Sequence, residues 1–482
     1  MRSPSALLLA AGLSAAGTAN LVSAADSERI LGVYLFHRHG DRTAKAWSPV
    51  NLTALGADQV HNSGTFYRAR YVASEAGFRV SGLSSDDAVL SQLQVVSPKD
   101  AVLHNSALTF LQGLYPPTGR TELLANGSKI EAPLGGYQYI PIDAMSEAAS
   151  GDRAESNAWL QGGSGCGNAV VSSNSYFASA EYKATYDDSA ALYQSLLPVI
   201  NSTYGTDAAN FKNGYSIYDL INVATIHNSS ISSHSLLTKE TLARLYQLAS
   251  VHEWNLAYNA TEPVRSIAGA VLAGQILDAL DAVVDGKPSA PKLNVQFGAY
   301  GTFMAFFGLA QLPQANADFY GVCNYASSMA FELVTTVQDA KPKPADISVR
   351  FLFANGTAAD NGLKPFPLFG LAKETLSWND FKSAMAKFAI ADTEHWCNLC
   401  GNTSGKCANR ATVAAGDVFQ NPMASGKGVS KVVAGVIGAL VTLVVILSLQ
   451  AAIILLGGLR LVKKSSLSGV RRSADVGELG HK

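Results

Sequence analysis

Residues 30–36 (ILGVYLF) form a continuous apolar run that ends in a polar, glycine-containing loop. That pattern predicts a strand buried on both faces, as in a parallel sheet. Thr53 is placed to cap a helix running to about Ala73, with apolar Leu55, Val60, Phe66, Tyr67 and Tyr71 along it. A short second strand is expected at 93–96, then a helical stretch at 99–114 closed by Tyr115-Pro116-Pro117. Strand, loop, helix, strand, helix is the alternation of a doubly wound α/β domain. From about 118 to 291 the pattern changes. A glycine-rich loop at 162–167 precedes two helical segments, one at 179–197 and one at 239–257 that continues to 282. Strand-like runs resume at 293–297, 331–334 and 347–353. The reading is therefore an α/β core assembled from about 28–117 and 290–400, with a mainly helical cap at about 118–290.

The two ends set the expected compartment. Met1-Arg2 is followed by an apolar stretch and then small residues before Ala25-Asp26, the layout of a secretory signal peptide over 1–24. Between 432 and 459 there is no charged residue, and about 20 apolar residues suffice to cross a bilayer. Arg460, Lys463, Lys464, Arg471 and Arg472 lie beyond that run, and only Lys427 and Lys431 lie close before it. The positive-inside rule then predicts a transmembrane helix at 432–459, a cytoplasmic tail at 460–482 and an ectodomain on the other side. Residues 411–431 are rich in small residues and read as a stalk. The expected location is a single-pass membrane protein of the secretory pathway or cell surface.

Composition agrees with this division. Of 482 residues only 15% are charged and 48% are hydrophobic, and Lys+Arg 36 against Asp+Glu 37 leaves a net charge of -1. A balance so close to zero argues against nucleic acid as a partner. Asn-x-Ser/Thr sequons start at Asn51, Asn126, Asn201, Asn228, Asn259, Asn355 and Asn402, all between the two apolar ends, and predict a glycosylated ectodomain. The five cysteines are Cys166, Cys323, Cys397, Cys400 and Cys407. In an oxidising compartment they are disulfide candidates, with the pairing open and one left over if the others pair internally. No metal motif or cofactor is expected.

The chemistry is concentrated after the first strand, in Phe36-His37-Arg38-His39-Gly40-Asp41-Arg42-Thr43. In an open α/β sheet, ligands bind beyond the carboxyl ends of the strands. There the arginines can grip phosphoryl oxygens, a neutral imidazole can attack phosphorus, and glycine lets the backbone approach an anion.

This loop resembles the RHGxRx(P) signature of the histidine acid phosphatases, a secreted branch of the phosphoglycerate mutase-like superfamily. The resemblance continues through Leu52-Thr53-Ala54-Leu55-Gly56, Ser106-Ala107, Pro116-Pro117, Tyr325-Ala326-Ser327 and Val349-Arg350-Phe351. It implies an α/β sandwich core with a helical cap and metal-independent hydrolysis of a phosphomonoester. By the match, His39 is the nucleophile and Arg38 and Arg42 bind phosphate. Three further family positions are replaced. A phosphate-binding arginine falls at Val96, and the His-Asp pair that binds phosphate and protonates the leaving group falls at Tyr300 and Gly301.

An arginine bonded to an anion contributes roughly 1.5–3 kcal/mol, and general acid catalysis on the order of 10²–10⁴-fold. The expectation is thus a weakened or lost phosphomonoesterase, able to turn over an aryl phosphate sooner than an alkyl one. The alternatives are a non-catalytic pseudophosphatase that binds an anionic small molecule, or a structural cell-surface glycoprotein. Asp41, His227, His104 and Tyr300 are the residues considered for the missing acid. His37 is expected to pack behind the loop.

Overall fold

The computed structural model describes residues 28–144, 162 and 164–408. The chain divides into two units, Met1–Ala415 and Gly416–Lys482, and every described residue belongs to the first. The expected signal peptide, stalk, transmembrane helix and tail fall outside the described residues.

Among the described residues there are ten strands: β1 Arg29–Arg38, β2 Leu93–Ser97, β3 Thr121–Leu123, β4 Lys129–Glu131, β5 Asp143–Ala144, β6 Leu293–Gly298, β7 Ser328–Thr335, β8 Ser348–Ala354, β9 Lys364–Pro365 and β10 Thr375–Ser377. The helices of eight or more residues are α1 Ala54–Tyr67, α2 Leu103–Leu114, α3 Gly167–Ser175, α4 Ala180–Ser195, α5 Gly214–His227, α6 Lys239–Ala257, α7 Ile267–Val284, α8 Tyr300–Leu309, α9 Trp378–Met385 and α10 Thr393–Cys400.

The main sheet runs β10-β8-β7-β1-β6-β2-β5, with β9 added on β8. β1, β6, β2 and β5 are parallel, whereas β7, β8 and β10 run antiparallel. The sheet is thus mixed, with β1 in its parallel half as its apolar run predicts and an antiparallel half that the alternating pattern does not show. The reason lies in the connections: parallel neighbours need long crossovers, while the 12 residues between β7 and β8 return directly.

Alternation along β1 explains its unbroken apolar run. Val33 and Leu35 pack into a layer with Val60, Leu103 and Phe110 of α1 and α2. Tyr34 and Phe36 face the other layer, with Leu272 and Ile276 of α7 and Phe303 of α8. Helices α1 and α2 approach through glycines: a Cβ on Gly64 would lie 2.0 Å from the Phe110 carbonyl oxygen, and one on Gly113 2.2 Å from that of His61.

The inserted segment differs from expectation at its start. β3 and β4 form a separate hairpin, and β5 joins the core sheet beside β2. Among the described residues the helical cap begins at α3. Its own core includes Tyr193, Phe211, Ile217, Leu220, Leu245 and Leu248. The expected helix at 239–282 is two helices, because Pro263 cannot continue the ladder and restricts Glu262 before it. The segment Pro263–Val284 is long and apolar enough to span a membrane, yet it packs between β1 and α8 as a core helix.

Two disulfides, Cys166–Cys400 and Cys397–Cys407, tie α10 to the start of α3 and to the following turn. Cys323 is a buried thiol.

Candidate active site

The site is built on the carboxyl end of β1, where Arg38 stands level with Gly298 of β6 and His37 with Ser328 of β7. Thr53 caps α1 by accepting from Gly56 N, which presses the helix start against the loop. The contact leaves no room for side chains. A Cβ on Gly40 would lie 2.1 Å from the Gly56 carbonyl oxygen, and one on Gly56 1.9 Å from that of Asp41. The glycine in the motif is thus required by helix packing.

His39 is fully buried and its Nδ1 is 2.7 Å from the Gly40 carbonyl oxygen. A carbonyl only accepts, so Nδ1 carries a proton. The ring lies 5.6 Å from that of Tyr325. His37 packs behind the loop among Tyr67, Phe110 and Phe297, as expected. Burial pushes it down to about 4, so it is an uncharged packing group.

Both arginines are engaged by the protein. Arg38 donates from Nη1 to the Cys323 carbonyl, and its guanidinium stacks 4.8 Å over Tyr325 and 5.3 Å over Tyr300. Arg42 forms a two-pronged pair with Asp219 of α5: Nη2 to Oδ1 at 2.9 Å and Nη1 to Oδ2 at 3.1 Å, with both side chains buried. Nη1 also donates to the Thr43 carbonyl, and Nη2 faces the Tyr215 hydroxyl at 3.4 Å. Lys45 N donates to the same carboxylate, at 2.8 Å to Oδ2.

Asp219 was not read from the sequence as a site residue. It is one carboxylate on an otherwise largely apolar helix. The signal that could have found it is its phase: Tyr215, Asp219, Asn222 and Ile226 share one helical face and line the cleft. That cleft has a volume of about 280 Å³ and is completed by Arg38, Gln59, Asn324 and Tyr325.

Tyr300 is buried at the start of α8, followed by Gly301. Its hydroxyl donates to Glu253 Oε2 at 2.7 Å, and Glu253 Oε1 is 2.8 Å from His252 Nδ1. Burial alone would raise Glu253, but hydrogen bonds from His252 and Tyr300 and the charge of Lys45 hold it below the usual carboxylate range. Burial, reinforced by Glu253 and Tyr215, pushes the Tyr300 phenol well above its ordinary value. Tyr300 is therefore an anchor for Glu253 and a poor proton donor at acid pH. Lys45 Nζ lies 3.5 Å from the Tyr300 hydroxyl and 4.7 Å over the Tyr215 ring.

Val96 does not line this cleft. It stands beside Gln296, two positions short of Gly298, and lines a separate cavity of about 410 Å³ with Tyr34, Gln94, Asp143 and Asn294. A side chain there would have to rise about 7 Å along the strand to reach the level of Arg38. His227 is brought to the loop: its Nε2 is 2.7 Å from Asp41 Oδ2, which also accepts from Thr53 Oγ1 at 2.5 Å. Asp41 is buried, so this contact ties cap helix α5 to the start of α1. His104 lies on α2. The sequon asparagines are exposed or half-exposed. Among the described residues no group of three or more His, Cys, Asp or Glu side chains suits a metal ion.

Solved structures that share the fold include two phytases. The Hafnia alvei phytase in complex with tartrate superposes with a TM-score of 0.50 at 11% identity, covering 78% of this chain and 98% of its own. The phytase from Citrobacter braakii gives 0.50 at 11% identity, covering 75% and 98%. No curated protein matches the sequence. The family model "Histidine phosphatase superfamily (branch 2)" matches residues 46–354, starting just past the His39 loop. The chain belongs to the histidine phosphatase superfamily, branch 2.

Proposed function

We propose that this chain is a glycosylated, membrane-anchored ectodomain of phosphatase type that hydrolyses phosphomonoesters through His39, slowly and with a strong bias toward good leaving groups. The observation that carries this reading is the Nδ1 contact of His39 with the Gly40 carbonyl, which fixes the ring and makes Nε2 the nitrogen assigned to the attack. In the first step Nε2 bonds to phosphorus and the ester P–O bond breaks, the leaving oxygen taking the electron pair. In the second, water attacks phosphorus, the P–N bond breaks, and inorganic phosphate departs.

The weakness has two sources. Arg42 must part from Asp219 before it can hold a phosphoryl oxygen. The leaving oxygen also meets Tyr300 and Gly301 in place of a histidine and an acid. A second reading, a non-catalytic ectodomain binding an anionic small molecule or acting as a surface glycoprotein, is favoured by the same Arg42–Asp219 pair. Rapid alkaline-quench trapping with a phosphoryl-labelled aryl phosphate, conditions in which a phosphohistidine survives, separates them. Label on the wild type and none on His39→Ala supports catalysis; no label on either sinks it.

Anchoring through 432–459, with residues 25–431 lumenal or extracellular and 460–482 cytoplasmic, rests on the charge asymmetry of the sequence. The sequons and the two disulfides agree with an oxidising compartment. Carbonate extraction with protease protection of the full chain tests it: release of the intact protein into the supernatant would contradict the anchor.

A further inference from the structure

Away from the cleft beside Arg38 and Asp219, the cap carries a second concave surface. Two cavities of about 470 Å³ and 350 Å³ share Glu181, Trp254 and Asn255, so they form one continuous groove. Its walls are aromatic. Trp254 meets Tyr320 at 4.7 Å and Tyr258 at 5.3 Å, and Tyr246 is fixed at one side by its hydroxyl bond to the Val322 carbonyl at 3.0 Å. Polar groups are interleaved, with Asn255 Nδ2 donating to Glu181 Oε1 at 3.2 Å. Tyr258 is held flat on α8, where a Cβ on Gly308 would come within 2.2 Å of its ring. Tyr320 is 51% exposed, so the aromatic wall opens to solvent.

One end of the groove is formed by Asn259 and Ala260 of the sequon Asn259-Ala260-Thr261. The Asn259 Oδ1 accepts both the Thr261 N–H and the Thr261 hydroxyl, each at 2.9 Å. The amide oxygen is thereby turned toward the chain, and the amide nitrogen is the atom a glycan would occupy. Arg265 fixes this corner by donating to the Asn255 carbonyl at 2.8 Å.

We propose that the groove binds the N-glycan carried on Asn259, whose first sugars lie along Trp254, Tyr258 and Tyr320. A pyranose has an apolar C–H face and a rim of hydroxyls. Aromatic faces match the first, and Glu181 and Asn255 match the second. The combined volume is in the range of small-molecule sites, about 300–1,000 Å³. Tethering raises the effective sugar concentration at the groove, so individually weak contacts suffice. The inference rests on the secretory reading above, since it requires that the chain be glycosylated.

The test uses the full chain made in a secretory host and kept native. Glycan occupancy is measured by mass spectrometry at each sequon, and release by an endoglycosidase is timed at Asn259 and at Asn126, which sits exposed on the β3–β4 turn. Stacking of this kind predicts release at Asn259 about tenfold slower than at Asn126. Trp254→Ala should abolish the difference. Tyr320→Ser, at a solvent-facing position, should reduce it without disturbing the fold. Equal release at both sites, or an unmodified Asn259 beside occupied sequons elsewhere, overturns the groove as a glycan site and leaves the secretory reading standing. An absence of glycans at every sequon overturns both.

Discussion

Arg42 Nη2 lies 2.9 Å from Asp219 Oδ1, so the second arginine of the motif is paired with a carboxylate of the cap. Both side chains are buried, so the pair is not screened by water, and dissociating it uncovers a charge. An anionic ligand must compete with Asp219 for the same fork of N–H donors. The Asp219→Asn protein should therefore be less stable than wild type by about 3 kcal/mol without ligand. It should recover part of that loss in millimolar phosphate. Thermal unfolding with and without phosphate measures both. Equal phosphate shifts in the two proteins would show that Asp219 does not compete.

Tyr300 is read as an anchor and not as an acid. Removing its hydroxyl in Tyr300→Phe leaves Glu253 with one fewer donor, at a cost of about 1–3 kcal/mol. Turnover of an aryl phosphate and its pH profile should stay as in the wild type. A lost or shifted limb in that profile would make Tyr300 a proton donor instead.

His37 predicts how the fold behaves in acid. Burial lowers it to about 4, and its hydrogen bond to the Arg38 carbonyl only partly offsets that. The unfolded chain takes up this proton near pH 6.5, while the folded one refuses it until about pH 4. Between those values the unfolded state binds more protons, so stability falls as pH falls. The contribution is complete above roughly pH 6.5 and lost by about 4, amounting to about 3 kcal/mol. Denaturant unfolding across that window should be flatter for His37→Phe. An equal slope in both proteins would contradict this assignment.

Gly56 is required by the loop. In Gly56→Ala the new Cβ would meet the Asp41 carbonyl at 1.9 Å, and backbone on both sides must move. The expected cost is about 3 kcal/mol or more, with displacement of His39. Gly77→Ala is the control, because nothing lies within 4 Å of its Cβ, and it should stay within about 0.5 kcal/mol. Similar stabilities for the two variants would refute the close contact.

The local elements around His39 were legible because they depend on nearby residues. The apolar run of β1 and the Thr53 cap of α1 are set within a few positions of themselves. The antiparallel half of the sheet was not legible, since an apolar strand reads alike in either direction. The partner of Arg42 was hidden for a different reason. Asp219 is 177 positions away, and only the docking of α5 on the loop brings the two together. Val96 shows the same dependence on tertiary structure: its place on β2 follows from the apolar run, but the register beside Gln296 sets it below the cleft. The cysteine pairing likewise depended on where α10 lands against α3.

The central claim is that His39 can attack while nothing protonates the departing oxygen. The direct measurement compares kcat for an aryl and an alkyl phosphate at acid pH, with His39→Ala as the blank. General acid catalysis is worth on the order of 10²–10⁴-fold. The prediction is a gap of about a hundredfold or more in favour of the aryl ester, abolished in His39→Ala. The gap should narrow when Tyr300→His and Gly301→Asp are introduced together. Equal, rapid hydrolysis of both esters by the unaltered protein would contradict it.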